Sequence, residues 1–169
     1  MIGADVGVRA AVTYSDGRQT KGLRRVLKTQ RDRLAARQRQ RTTREKHGLS
    51  HQCQVLAREA RRCVTLATRT GRGIALEDPS RLIRWRQHAA RFFAKRVSLL
   101  ASLSGVPVQL VAPPYTSITC SQCGTRDTFR HRRMHRCYRC GQTSNADRNA
   151  AVNIAHEGLA VYIRAEHQV

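Results

Sequence analysis

The sequence predicts a mixed α/β domain that carries a small metal-binding insert. Three observations carry that expectation. Short strand-like apolar runs are separated by longer stretches with helical spacing. Two Cys-x-x-Cys pairs lie close together toward the C-terminal end. The length, 169 residues, suits one domain of ordinary size, or one domain and a small insert.

In chain order, Ile2, Ala4 and Val6 alternate with polar or small residues, and Ala10 to Tyr14 is an apolar run with a β-branched pair. Asp16-Gly17 marks a hairpin turn, and Gln19 to Leu23 suits the returning strand, so the opening reads as a short antiparallel meander. Leu49, Cys53, Leu56, Ala60, Cys63 and Ala67 recur at alternating spacings of 4 and 3, the seam of a helix. Thr70-Gly71-Arg72-Gly73 breaks it. Ile74-Ala75-Leu76 is fully apolar, as expected for a strand at a sheet centre covered on both sides. Asp78-Pro79 suits a helix start with proline at its first position. Trp85, Ala89, Phe92, Phe93, Val97, Leu100 and Leu103 then share one helical face, and Gly105 ends the helix. Val106 to Val111 is a further strand, stopped by Pro113-Pro114. Residues 147 to 165 close as a helix with Ala151, Ile154, Ala155 and Tyr162 on one stripe. The expected organisation is therefore a core over residues 1–115, an insert over 116–145 without a core of its own, and a final core segment over 146–169.

Charge narrows the function classes. Lys and Arg number 32 against 11 Asp and Glu, a net charge of +21 with a pI near 11.5. Such a balance points to nucleic acid, and binding to a structural RNA is the bland version of that reading. No stretch approaches 18 consecutive apolar residues, so no membrane span is expected. Met1 leads straight into a strand-like segment, so no secretory leader is expected, and the cytoplasm, in association with the nucleoid, is the expected location. From Arg18 to Lys46 there are 12 Lys or Arg and only two acids, Asp32 and Glu45. A solvated face would mix both signs. Arg24, Arg25, Lys28, Arg31, Arg37 and Arg41 are therefore candidate phosphate contacts. A second basic cluster, FRHRRMHRCYR at 129–139, contributes Arg132, Arg133 and Arg136, with Arg130 and Arg139 beside them.

The cysteines divide into two classes. Cys120-Ser-Gln-Cys123 and Cys137-Tyr-Arg-Cys140 are separated by 13 residues, and each pair is followed by glycine. Four thiolates on two tight turns suit tetrahedral Zn²⁺, and the glycines suit left-handed turns whose N–H groups face sulfur. A redox pair explains one Cys-x-x-Cys and not two, and disulfides conflict with the absence of a leader. His131 and His135 read as polar or basic surface. Cys53 and Cys63 lie on a helical seam and read as small buried residues.

Acids are scarce, so their positions are informative. Asp5 lies in the first strand, Glu77 ends a buried strand and Asp147 opens the last helix. Taken singly, they read as a turn residue, an arginine partner and a helix N-cap. Taken together, three carboxylates from separate segments of a very basic chain suggest a cage for Mg²⁺ or Mn²⁺ suited to phosphodiester hydrolysis.

The segments GADVG, RGIALED, PYTSITCSQCG, CYRCG and ADRNAAVNI occur in that order. They resemble the C-terminal nuclease half of the TnpB (transposon OrfB) family, related to the small type V CRISPR effectors. GLSHQCQVLAREARR likewise resembles the helix before that family's second acidic motif. The resemblance implies a RuvC-like, RNase H-type fold with an inserted zinc ribbon. It implies Asp5, Glu77 and Asp147 as catalytic metal ligands, and Cys120, Cys123, Cys137 and Cys140 as zinc ligands. It further implies DNA endonuclease activity directed by a guide RNA, in a family encoded by insertion sequences and often described as transposases. Members carry a wedge and recognition region ahead of the first acidic motif. This chain begins three residues before that strand core, so the expectation is a truncated relic, a standalone nuclease core or a piece of a split system whose guide-binding half is encoded upstream. Proline at position 79 also departs from the aliphatic residue usual there. Two readings stand at this point: a metal-dependent DNase, and a zinc-ribbon module that binds DNA or RNA and no longer cuts.

Overall fold

A computed structural model describes residues 1–7, 11–20, 51–82, 84–112 and 115–167, with backbone alone for residues 51, 52 and 84–87. Its main sheet has four strands: β1 (Ile2–Asp5), β2 (Thr13–Tyr14), β3 (Ile74–Glu77) and β4 (Val108–Val111), in the order β2-β1-β3-β4. Strands β1, β3 and β4 run parallel, with Ala4 opposite Leu76 and Glu77 opposite Val111; β2 pairs antiparallel to β1. The opening meander takes this form. Gly17 adopts φ 93° at the turn, and a single bridge joins Thr13 to Gln19. The rest of the expected returning strand, and the expected helix start at Leu49, lie outside the described residues.

Among the described residues three helices cover the sheet. Helix α1 (His51–Thr70) and helix α2 (Arg84–Leu103) lie on one face. Their buried line is Leu56, Ala60, Cys63, Val64 and Ala67 on α1, packed with Phe93, Ala94, Val97 and Ala101 on α2 and with Ile2, Ala4, Ile74 and Leu76 from the strands. Helix α3 (Ala146–Glu166) lies on the other face, where Ile154 meets Ala75 and Val111. Strand β3 is therefore covered on both sides, which is why its apolar run does not alternate. Among the described residues no helix is long and apolar enough to cross a membrane.

Several boundaries differ from the expectation. Strand β1 ends at Asp5 and β4 begins only at Val108. Asp78 does not cap α2: its carboxylate accepts from the Ser80 N–H at 2.9 Å and caps a 3₁₀ turn, Pro79–Arg81, that precedes the helix. The buried face of α2 is rotated from the expected one, centring on Ala90, Phe93, Val97 and Ala101 and leaving Leu103 78% exposed. The small alanines win these positions because α1 approaches closely there, a choice that periodicity in large residues does not reveal.

Residues 116–145 hold a second sheet, antiparallel, of β5 (Thr128–His131), β6 (Met134–Cys137) and β7 (Thr143–Asn145). Asn145 caps α3, its side chain accepting from the Asp147 and Arg148 N–H groups at 2.9 and 3.2 Å. Asp147 is thus a first-turn residue and not the cap, and its carboxylate is released from that duty.

The face between α3 and the sheet is built from small residues. A Cβ on Gly3 would stand 1.9 Å from the Ala151 carbonyl oxygen, and one on Gly158 would stand 2.3 Å from Cβ of Ala75. Met1 reaches Gly158, whereas Gly3 meets Ala151 and Ala155, so α3 runs antiparallel to β1. Its N-terminal turn therefore lies toward the edge where β1 and β3 end.

Candidate functional site

The four cysteines of the ribbon converge. Their sulfur atoms all lie within 4.8 Å of one another, with Cys120 to Cys140 at 3.7 Å and Cys123 to Cys137 at 3.6 Å. A tetrahedron with Zn–S bonds of about 2.3 Å has edges of about 3.8 Å, so the sulfur cage fits zinc. The two turns are built alike. Cys120 N–H donates to the Thr125 carbonyl and Gly124 N–H returns to Cys120; Cys137 and Gly141 repeat the pattern with Gln142. Gly124 and Gly141 sit at φ 74° and 73°, in the left-handed region that glycine enters without strain. Burial alone would raise the Cys137 thiol, but hydrogen bonds led by the Cys140 N–H outweigh it and bring the thiol down to about 7. At Cys140 the Gln142 backbone lowers the pKa, while burial and the neighbouring sulfurs overcome it and push it up to about 12.

His135 corrects the expectation of a surface residue. It is fully buried, and burial holds its pKa below the ordinary histidine value, the Ile118 backbone opposing and the Arg130 charge assisting. Strand alternation explains the burial: His135 and Cys137 are two apart on β6 and face the same side. His131 is exposed and stacks on Phe129 with ring centroids 6.3 Å apart. Cys63 is buried, and burial with the Glu59 charge pushes its thiol up to about 12, which makes it unreactive. Cys53 is half-buried.

The acids belong to the main sheet and α3, and residues 115–119 link that sheet to the cysteine turns. Asp5 and Glu77 end adjacent parallel strands, one step beyond the pair Ala4 and Leu76. Those two face α1 and α2, so alternation turns Asp5 and Glu77 toward α3. Asp5 is 7% exposed. The Thr116 hydroxyl donates to Oε1 of Glu77 at 2.7 Å. Asp147, four residues ahead of Ala151, stands on the turn of α3 that leads toward this edge. Its Oδ1 is held by Nη2 of Arg130 at 3.3 Å. Among the described residues the cysteines are the group of three or more potential ligands whose donor atoms converge; the three carboxylates form no such group. Register and helix direction bring the acids to one edge, and the arginine draws Asp147 to itself.

Sequence reasoning missed the residues that join these two places. Asn149 and Asn153, one turn apart on α3, clamp the linker: Nδ2 of Asn153 donates to the Thr116 and Thr119 carbonyls at 2.8 and 2.7 Å. Asn149 donates to Thr119 at 2.7 Å and accepts from the Ser121 N–H at 2.9 Å. The signal was available, because asparagine on the inner stripe of a helix must find partners.

Basic surface is distributed in two places. On the ribbon, Arg132 lies at the β5–β6 turn with φ 52°, Arg136 pairs with Phe129 across the strands, and Arg133 donates to Oε1 of Gln19 at 2.7 Å. Arg132 and Arg136 are exposed, whereas Arg133 ties the ribbon to the opening hairpin. Arg130, expected on phosphate, is engaged with Asp147. On the helices, Arg58, Arg61 and Arg96 line a groove with Phe92, and among the described residues no carboxylate lines it. Arg24, Arg25, Lys28, Arg31, Arg37 and Arg41 lie outside the described residues.

Comparison with known proteins bears on these features. Residues 91–154 match the family model "Cas12f1-like, TNB domain". A CRISPR-associated endodeoxyribonuclease, Cas12f2 from a Micrarchaeota archaeon, is 38% identical over 77 residues, covering 41% of this chain and 14% of that protein. Cas12f1 from Sulfoacidibacillus thermotolerans, another CRISPR-associated endodeoxyribonuclease, is 33% identical over 109 residues, covering 58% of this chain and 25% of that protein. Among solved structures, a Cas12f1–sgRNA–target DNA complex superposes with a TM-score of 0.60 at 17% identity, covering 91% of this chain and 49% of its counterpart. A Cas12f ternary complex gives 0.64 at 20% identity, covering 91% and 38%. The fold is shared with these structures, and the chain spans a quarter or less of the curated relatives it matches.

Proposed function

We propose that this chain, which is similar to Cas12f proteins, is a TnpB-like protein that binds nucleic acid and carries a divalent-metal-dependent DNA endonuclease site of the RuvC type. One observation carries the reading. Asp5 and Glu77 end neighbouring parallel strands on the face covered by α3, and α3 brings its first turn, with Asp147, toward the same edge. The main sheet is the RNase H-like core over 1–115 and 146–169, and residues 116–145 are a zinc ribbon. The donor set fits Mg²⁺ or Mn²⁺, hard cations that take carboxylate oxygen. Asp5, Glu77 and Asp147 would hold the metal, which when bound would supply an activated water and stabilisation of the departing oxygen of a cleaved phosphodiester. The chain's own part is to hold carboxylates at one sheet edge, while arginines neutralise the nucleic-acid backbone that those carboxylates repel.

DNA is the proposed substrate, and guide RNA is a proposed partner on the strength of the related complexes. The test is incubation of labelled single-stranded DNA with the zinc-loaded chain and Mg²⁺ or Mn²⁺. Metal-dependent cleavage that Asp5→Ala abolishes supports the reading. A second reading, a binding module that no longer cuts, is favoured by the Arg130–Asp147 contact. Binding without cleavage by the wild type, unchanged in Asp5→Ala, would establish it.

A further inference from the structure

The face built by α1 and α2 carries a basic surface apart from the acid edge. These two helices, 20 residues each, contain one acid, Glu59. That carboxylate is buried and already taken, by Nη1 of Arg62 at 2.8 Å and by the Tyr14 hydroxyl at 3.4 Å. Between the helices lies an open groove of about 560 Å³, lined by Arg58 and Arg61 from α1 and by Phe92 and Arg96 from α2. Residues three or four apart on a helix share a face, so each wall presents a row of side chains. Arg58 and Arg61 are exposed, and none of the three arginines forms an ion pair among the described residues. Arg96 is half-buried, and its Nε is buried without a hydrogen-bond partner among the described residues. A buried N–H without an acceptor is costly, and an anion lying in the groove would supply one. The groove is on the sheet face opposite α3, whereas Asp5 and Glu77 turn toward α3.

We infer that this groove holds a single strand of DNA by its phosphate backbone, at a site apart from the acid edge. The inference rests on the nucleic-acid-binding part of the reading given above and makes no use of a divalent cation. Arginine is a planar, permanently charged donor that pairs with phosphate oxygens two at a time. Three arginines, with no carboxylate among the described lining residues, make a site of one sign. Such a site fits a polyanion better than a protein surface, which mixes both signs. Phe92 adds an aromatic ring to the wall, and a positive groove with an aromatic ring receives unpaired bases by stacking. A duplex keeps its bases stacked on one another and offers the ring nothing. Arginine has no acceptor, so Gln54 is the one described lining side chain that could accept from a 2′-hydroxyl. The groove is therefore built for phosphates and bases, which DNA supplies without that hydroxyl.

The experiment measures binding of fluorescent oligo(dT) of about 12 nucleotides by anisotropy, a length within the span of one such site. It uses the zinc-loaded full chain without Mg²⁺ or Mn²⁺, so that no cleavage is read. Replacing Arg58, Arg61 and Arg96 together by Gln is expected to reduce the slope of log affinity against log salt by about 2, at about 0.7 per phosphate on a single strand. The double variant at the exposed Arg58 and Arg61 leaves packing untouched and is expected to reduce it by about 1.4. Phe92→Leu is expected to weaken binding about fivefold or more with the slope unchanged, and Phe92→Tyr to bind as wild type does. An oligomer carrying 5-iododeoxyuridine is expected to crosslink to the peptide that contains Phe92. Unchanged slopes in the double and triple variants, with wild type binding, would overturn the groove and leave the nucleic-acid reading intact. A crosslink confined to residues outside α1 and α2 would overturn it as well. Tighter binding of oligo(rU), or of a duplex of the same length, lost with the same arginines, would overturn the assignment to single-stranded DNA. Displacement of oligo(dT) by polyglutamate at equal charge would do the same, since an acidic protein segment would then fit as well. A wild type that binds no oligonucleotide would remove the nucleic-acid reading and this inference together.

Discussion

The main sheet and the ribbon order their backbones by opposite means. The sheet is sandwiched between apolar layers, with Leu56, Ile74, Phe93 and Val97 fully buried on one face and Ile154 on the other. The ribbon has three short strands whose side chains are mostly exposed, with Thr116, Cys120, His135 and Cys137 as the buried ones among its described residues. Its strands expose Phe129 and Met134 to solvent. Hydrophobic burial stabilises the first region, whereas the second has little core and brings four sulfur atoms together. The contrast predicts that the two regions fail separately, the first on loss of core volume and the second on loss of the proposed zinc.

The largest expected effect follows from the cage. Chelation of zinc, or Cys137→Ser, should unfold residues 116–145 and leave α1, α2 and the main sheet folded, because structural zinc supplies about 10–16 kcal/mol in comparable small units. Hydrogen exchange would show protection lost on the ribbon alone; loss of protection across β1 and β3 as well would show one cooperative unit instead of two.

Next in size is the core itself. Phe93 is fully buried between α2 and the sheet, so Phe93→Ala should cost about 3–5 kcal/mol in denaturant unfolding with zinc content unchanged. Gly3→Val should be at least as severe, since its Cβ would collide with the Ala151 carbonyl and push α3 off the sheet. A tolerated Gly3→Val would mean that α3 packs less closely than the geometry requires.

Binding to nucleic acid sharpens the comparison from the surface. If about six phosphates are contacted, affinity should fall about a thousandfold between 50 and 200 mM salt. Replacing Arg132 and Arg136 together should reduce the salt slope by about 2, close to one unit per phosphate contact. Replacing Arg58, Arg61 and Arg96 tests whether the helical groove shares the load. An unchanged slope in both sets would place the contacts elsewhere in the chain.

The smallest effect is on pH. The Ser80 backbone N–H, the Ser80 hydroxyl and the Arg81 charge hold the Asp78 carboxyl below its ordinary value. Its contribution is therefore fully present above the unfolded pKa, near 3.8, and is lost as pH falls through the lower folded value. Asp78→Asn should flatten that part of the acid-stability curve by slightly lowering stability at neutral pH while leaving stability in strong acid unchanged, as comparative thermal melts would show.

Periodicity and spacing in the chain were enough to determine most elements. Helix α1 and strand β3 are legible because 3.6-residue and continuous apolar patterns are local properties. The ribbon is legible because Cys-x-x-Cys-Gly is a complete local specification of a metal turn, and the sulfur atoms meet as that spacing requires. Three arrangements were decided only in the tertiary structure. The buried face of α2 turns on alanines whose value appears only when α1 lies against them. The close fit of α3 on the sheet depends on Gly3, Ala75 and Gly158, residues too small to leave a hydrophobic signal. The surroundings of the acids depend on Thr116, Asn149, Asn153 and Arg130, whose hydrogen bonds and ion pair span 17 to 39 residues of sequence. Local sequence fixes what a residue can offer, but only the folded chain decides which distant group receives it, because hydrogen bonds and ion pairs act over a few ångströms.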